Sequence, residues 1–200
     1  MNAHRRTQAD RTATTRRALI GAARLLFATE GYAAVGTERI VVEAGVTRGA
    51  LYHQFRGGKA DLFAAVLEEV EVDLTDRLAG AMQGVSSEDA VEVLVAGVDS
   101  WLDATADPEV QRMLIDGPAV LGWERWREIG MRHGFGLVTA VLTMAMDAGT
   151  VAAQPVEPLA HLLIGALDEA ALYVARAPDP AAARQEIGAV THRLVRALIA

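Results

Sequence analysis

Apolar residues recur at steps of three and four along almost the whole of this chain, and nowhere do they alternate two by two. That single regularity narrows the fold more than any other feature. A 3.6-residue period gives each segment one apolar stripe, which is buried by packing against other stripes. No run has the period-two pattern of a half-buried strand. The 200 residues, 52% of them apolar, suffice for a sizeable core. The expectation is an all-α protein of about nine helices.

The punctuation places them. A polar stretch, residues 1–13, carries Arg5, Arg6 and Arg11 without apolar period and reads as a flexible basic arm. From Thr14 a helix carries Leu19, Ala22, Ala23, Leu26 and Phe27 and stops at Gly31. Two short helices follow within Thr37 to Phe55. Lys59 and Asp61 then open a helix to about Met82, with Leu62, Phe63, Val66, Leu67 and Val70 inward and Glu68, Glu69, Glu71, Asp73 and Asp76 on an acidic outer face. After a loop with Ser86 or Ser87 as cap, a helix runs from Glu88 to Ala104. Asp107-Pro108 starts another, which Gly117-Pro118 is expected to break near Ile115. A long pattern covers Trp123 to Ala148, where Gly130, Gly134 and Gly136 mark a kink, a close crossing or room for a ligand. The last two helices run from Pro158 to Ala177 and onward from Pro180.

Within Thr37 to Phe55, Ile40, Val41 and Ala44 give the first helix one apolar face, and Thr37 is placed to cap it. Gly45 stands where a positive φ ends that helix. Thr47 caps the second, with Leu51 and Phe55 inward. Arg48, Gly49, Tyr52 and His53 are left outside. A cation, a small residue, a phenol and an imidazole on a short exposed helix suit a DNA groove and suit a catalytic pocket poorly. Charge supports this. The net charge is −7, yet residues 1–60 hold ten Arg/Lys against four Asp/Glu, and residues 61–200 hold nine against 22. A basic head on an acidic body is expected where only the head meets phosphate.

Several classes drop out. Without cysteine there is no disulfide, thiolate nucleophile or zinc–cysteine site. There is no G-x-S-x-G, H-E-x-x-H or phosphate-binding loop, so no enzyme is expected. His161 and Asp168 lie seven residues apart on one side of a helix, as polar anchors in a pocket, a patch at an interface or exposed groups. They are too few for a metal site, and no metal or cofactor is expected. No apolar leader is visible, and the apolar run Leu137 to Met146 is too short to span a bilayer, which fits a cytoplasmic protein with no membrane partner.

The run Phe27-Ala28-Thr29-Glu30-Gly31-Tyr32, then Ile40-Val41, Ala44-Gly45-Val46-Thr47, Gly49-Ala50-Leu51-Tyr52, Phe55 and Lys59 resembles the TetR family of bacterial transcriptional repressors. The likeness covers about residues 14–70; beyond residue 80 it is architectural. It implies a three-helix helix-turn-helix head at 14–60 and a ligand-binding and dimerisation domain at 61–200. It also implies DNA contacts from Thr37, Thr47, Arg48, Gly49, Tyr52, His53 and Lys59. Here Val41-Val42 stands where the family usually has alanine, Ala50 replaces the commoner Thr or Ser, and Gly57-Gly58 is one residue longer than the usual loop.

The implied function is a DNA-binding regulator, a repressor released from a palindromic operator by a small, largely apolar ligand. The rival is an all-helical carrier or enzyme with a vestigial head. One short reading helix offers few base contacts, so two heads about 34–36 Å apart are needed, and the chain is expected to be a homodimer. The last two helices are the candidates for an intersubunit four-helix bundle, through Leu163, Leu167, Ala170, Val190 and Leu194. Aromatic and methionine side chains of the body, Trp101, Met113, Trp123, Trp126, Phe135 and Met144, together with Asp168, are the candidates for the ligand pocket.

Overall fold

The computed structural model describes residues 8–85 and 90–198. Among these it holds nine helices and no extended strand: α1 Gln8–Glu30, α2 Thr37–Glu43, α3 Arg48–Gln54, α4 Lys59–Gln83, α5 Ala90–Ala104, α6 Pro108–Leu121, α7 Trp123–Asp147, α8 Val156–Arg176 and α9 Pro180–Arg196. The first seven residues of the expected arm, the Ser86 or Ser87 cap and the expected start at Glu88 lie outside the described residues.

Three features of the boundaries differ clearly from expectation. Helix α1 begins at Gln8, not Thr14, so half of the expected arm is helical. Residues 9–14 are solvent-exposed and so show no apolar period, while Asp10 in the first turn favours the helix dipole. Gly36, not Thr37, is the N-cap of α2; Thr37 already lies in the helix, and no side chain caps this end. Gly117-Pro118 does not break α6, which runs on to Leu121 and stops at Gly122, where φ is 77°. Proline removes one hydrogen bond, but the packing of both sides of α6 outweighs it. Gly117 itself is buried against the Trp126 ring, and a Cβ there would stand 2.4 Å from Cδ1. Finally, Gly130, Gly134 and Gly136 leave α7 helical throughout.

Other local expectations hold. Gly45 has φ 63°, and its N–H and that of Val46 reach back to Val42 and Val41. Thr47 Oγ1 accepts from the Ala50 N–H at 3.2 Å. Asp107 and Asp179 cap α6 and α9, each followed by proline at the first helical position.

Two apolar clusters result. The first joins α1, α2, α3 and the front of α4 around Leu19, Phe27, Ile40, Leu51 and Phe63, with Tyr32 edge-on to Phe63 at 5.2 Å. It does not stop at residue 60: Met113 and Leu114 of α6 and Trp126 and Ile129 of α7 belong to the same cluster. The second joins α5, α7, α8 and α9 around Val91, Leu102, Leu142 and Ala160. Helix α4 touches both and packs on α1, α5, α6 and α7. The short run Leu137 to Met146 is part of a 25-residue helix, and α7 and α8 are each long and apolar enough to cross a membrane by length and composition alone. Here both pack inside the body, α7 on α4 and α8, and α8 on α9.

Candidate nucleic-acid interface and ligand cavity

Helix α3 owes its orientation to Leu51 and Phe55, which are 0% and 3% exposed and anchor it on the head core. The side chains of Arg48, Tyr52 and His53, and Gly49, are thereby exposed on one outer surface, with Thr47 at its start. Arg48 lies 5.8 Å from the centre of the Tyr52 ring and 3.1 Å from Glu38. Both members of that ion pair are largely exposed, so it is worth at most about 1 kcal/mol and is readily exchanged for another anion. Gln54 reaches the Thr12 carbonyl at 3.4 Å, and Arg16 lies over the Phe55 ring at 4.6 Å, tying α3 to α1. Thr37 is half-buried at the start of α2.

Lys59 is placed differently from the expectation. Its ammonium donates to the carbonyls of Tyr32 and Val35, both at 2.9 Å, and sits 3.9 Å from the centre of the Tyr32 ring. Burial lowers its pKa. It binds the α1–α2 connection to α4 instead of opening toward solvent. The Gly57-Gly58 loop is equally tied down: Gly58 has φ 64°, and the Gly57 N–H donates to Asp61 at 2.6 Å. Lys59→Met is therefore expected to cost about 1–2 kcal/mol of stability, because two part-buried carbonyls lose their donor. The salt dependence of DNA binding should stay at its wild-type slope, since no phosphate contact is lost. Thermal melts and a salt titration on one preparation check both.

The body holds a cavity of about 70 Å³ bounded by α4, α5, α6, α7 and α8. Its wall is mostly apolar, with Leu74, Leu78, Leu137 and Ile164 among the lining side chains. Gly130 and Gly134 line it too, so two of the α7 glycines provide room where a side chain would fill it. Of the expected ligand residues, Trp101, Trp126 and Asp168 line this cavity; Met113, Trp123, Phe135 and Met144 do not. Met113 is 2% exposed in the first core cluster. Trp123 is 59% exposed and rests on Trp126, ring centres 5.2 Å apart. Phe135 packs on His161 at 5.0 Å, and Met144 lines a separate groove near α5. His161 and Asp168, on one side of α8 by spacing, thus end in different surroundings.

Two cavity groups escaped the sequence reading. Glu71 belongs to the cavity and not to the acidic outer face. Its position, four after Leu67 and three before Leu74, already lay on the edge of the α4 stripe. Arg127 turns inward and pairs with Asp168. Burial raises the Asp168 carboxyl to about 6, against the opposing pull of Arg127. Burial, with the charges of Asp168 and Glu68, raises Glu71 to about 7. Glu68 itself pairs with Arg132 at 2.6 Å and His133 at 3.1 Å. Trp101 donates its indole N–H to the Leu167 carbonyl at 2.9 Å.

The residues expected at a dimer interface also separate. Leu167 lines the cavity, and Ala170 is 4% exposed within its own chain, so packing inside one chain already occupies both. Leu163 is partly buried on the second cluster. Val190 and Leu194 remain open, joined by Leu162 and Tyr173 of α8, which were not among the expected interface residues.

Head and body are joined through α6. Arg24 of α1 pairs with Glu109 of α6 at 2.7 Å and with Asp73 of α4 at 2.6 Å. The Tyr32 N–H donates to Asp116 of α6 at 3.0 Å. On its other side, α6 meets the cavity through Leu114 and packs Gly117 on Trp126.

Comparison with known proteins agrees with this architecture. Residues 19–66 match the family model described as bacterial regulatory proteins of the tetR family, and residues 91–198 match the tetracyclin repressor-like C-terminal domain. The chain is 26% identical over 153 residues to the transposon Tn10 TetC protein of Escherichia coli, covering 76% of each. It resembles the crystal structure of a TetR-family transcriptional regulator from Pectobacterium atrosepticum with TM-score 0.84 and 32% identity, over 97% of this chain and 98% of that one. RolR, solved with resorcinol, shares the fold at TM-score 0.76 and 20% identity, over 96% and 95%. Matched at both its head and its body, the chain belongs to the TetR family of bacterial transcriptional regulators and is a DNA-binding regulator.

Proposed function

We propose that the protein is a homodimeric repressor that leaves a palindromic operator when a small, largely apolar effector fills the cavity. The observation that carries this is the position of α6. One helix lends Leu114 to the cavity wall and seats Trp126, and through Glu109 and Asp116 it also grips Arg24 and the Tyr32 N–H of the head. An effector that favours a shifted α6 moves the head with it and changes the spacing of the two reading helices. Helix α4, which lines the cavity and enters the head core, carries the same displacement.

Arg48, Gly49, Tyr52 and His53 read the DNA in this proposal, with Thr47 on phosphate. Exposed Leu162, Tyr173, Val190 and Leu194 support a four-helix interface between copies of α8 and α9. Regulation, not catalysis, is the activity, and its setting is the cytoplasm, where the DNA lies. A gel-shift titration against DNA upstream of the protein's own gene tests the proposal. Binding is expected to be tightest at low salt and to fall steeply as salt rises. Failure to bind at low salt sinks it.

A further inference from the structure

The polar groups of the cavity wall are unevenly paired. Asp168 accepts from Arg127, so that acid and that base cancel. The Trp101 N–H is committed to Leu167. Glu71 has neither a cation nor a hydrogen-bond donor among the described residues, and its carboxyl faces the space beside Gly130, where a Cβ would stand 3.6 Å from Oε1. Once Glu71 ionises, above about pH 7, the wall as a whole carries one uncompensated negative charge and no unpaired cation. Two indole rings, Trp101 and Trp126, complete an otherwise apolar lining.

Resting on the effector-release function proposed above, we infer that the cavity takes a small organic monocation: a protonated amine on an apolar body no larger than one ring. Each property follows from a separate feature. Charge follows from Glu71, the one charged side chain of the wall without an ion-pair partner; Thr75, one turn further along α4, adds only a neutral hydroxyl. An anion would meet Glu71 with Arg127 already engaged. An apolar body follows from the leucines and indoles, whose faces also attract a cation. Size is bounded by the volume: about 70 Å³ is less than half of the roughly 150 Å³ of a cavity that holds benzene, so one ring is the upper limit and requires the wall to give. A long acyl chain does not fit such a space.

Glu71 is held near 7 by burial and by Asp168 and Glu68, while Arg127 and Arg132 on α7 are the cations of the same surroundings and the His133 ring contacts Glu68. A bound ammonium keeps Glu71 ionised, so binding at pH 7 releases protons. Affinity for an amine that stays protonated should rise about tenfold from pH 6 to pH 8, as a carboxyl titrating near 7 ionises.

Benzylamine, benzyl alcohol and benzoate share one ring and differ in charge. Calorimetry on the full-length protein at pH 6 and 8, with the wild type and Glu71→Gln, tests the inference. Fluorescence anisotropy of an operator duplex is read in parallel. Benzylamine is expected to bind more tightly than the other two, to gain about tenfold with pH, and to lose tenfold or more in Glu71→Gln. Retained DNA binding by Glu71→Gln shows that this variant is folded; the ring series and the pH ratio on the wild type stand without it. Benzyl alcohol or benzoate binding as tightly as benzylamine overturns the inference. So does benzylamine binding that ignores Glu71→Gln, or no benzylamine binding at all. Benzylamine that binds without releasing DNA leaves the site chemistry standing and overturns effector release. Release by the alcohol or the acid alone does the reverse.

Discussion

Arg48→Ala combined with Tyr52→Ala is expected to lower operator affinity by at least a hundredfold while leaving the fold and the cavity untouched. Each good base contact is worth about 1–3 kcal/mol, and a dimer loses every contact twice. The cost to stability is small, because both side chains are exposed and the Arg48–Glu38 pair is a weak surface bridge. The slope of log affinity against log salt should also flatten if Arg48 meets phosphate as well as bases. A salt-titrated gel shift reads the first effect, and a thermal melt with and without a cavity ligand reads the second. Unchanged DNA binding would remove α3 as the reading helix. Loss of DNA binding together with melting would mean that the pair holds the head together.

Trp126→Ala is expected to produce the largest loss of stability of any single change considered, about 3–5 kcal/mol, because a buried indole leaves a cavity that its neighbours fill only partly. At roughly 2–4 °C per kcal/mol for a chain of this size, the melting temperature should fall by about 6–20 °C. Trp123→Ala, three residues away, should cost little. Trp126 is 5% exposed and sits on Gly117, whereas Trp123 is 59% exposed with only its inner edge on Trp126. The comparison is sharp because spacing makes the two tryptophans of WERW equivalent. Similar losses for both would show that the α6–α7 contact is not packed as described. Trp126→Ala also widens the cavity, so a larger ring system should bind better to the variant than to the wild type, as calorimetry would show.

Much of the fold was legible from local rules. Stripes at steps of three and four located nine helices. Gly45 and Thr47 specified the turn and cap of the reading unit, since a positive φ and an N-cap are demands met by particular residue types. The missed boundaries have different causes. Residues 9–14 of α1 are exposed and carry no stripe to read, whereas at Pro118 a strong local breaker is overridden by burial on both sides of α6. A stripe marks a helix only where it packs, and a local breaker is weak against packing.

Sequence by itself determined the helical class, the basic head, and the outward set Arg48, Gly49, Tyr52 and His53, because these follow from periodicity and charge within a single short segment. Tertiary structure alone decided what each long helix does with its borderline residues. It turned Lys59 into an internal tie, moved Glu71 from the outer face to the cavity, and split Trp123 from Trp126 and His161 from Asp168. A residue at the edge of an apolar stripe is inside or outside according to the helix that crosses it. That crossing is set by residues tens of positions away in the chain.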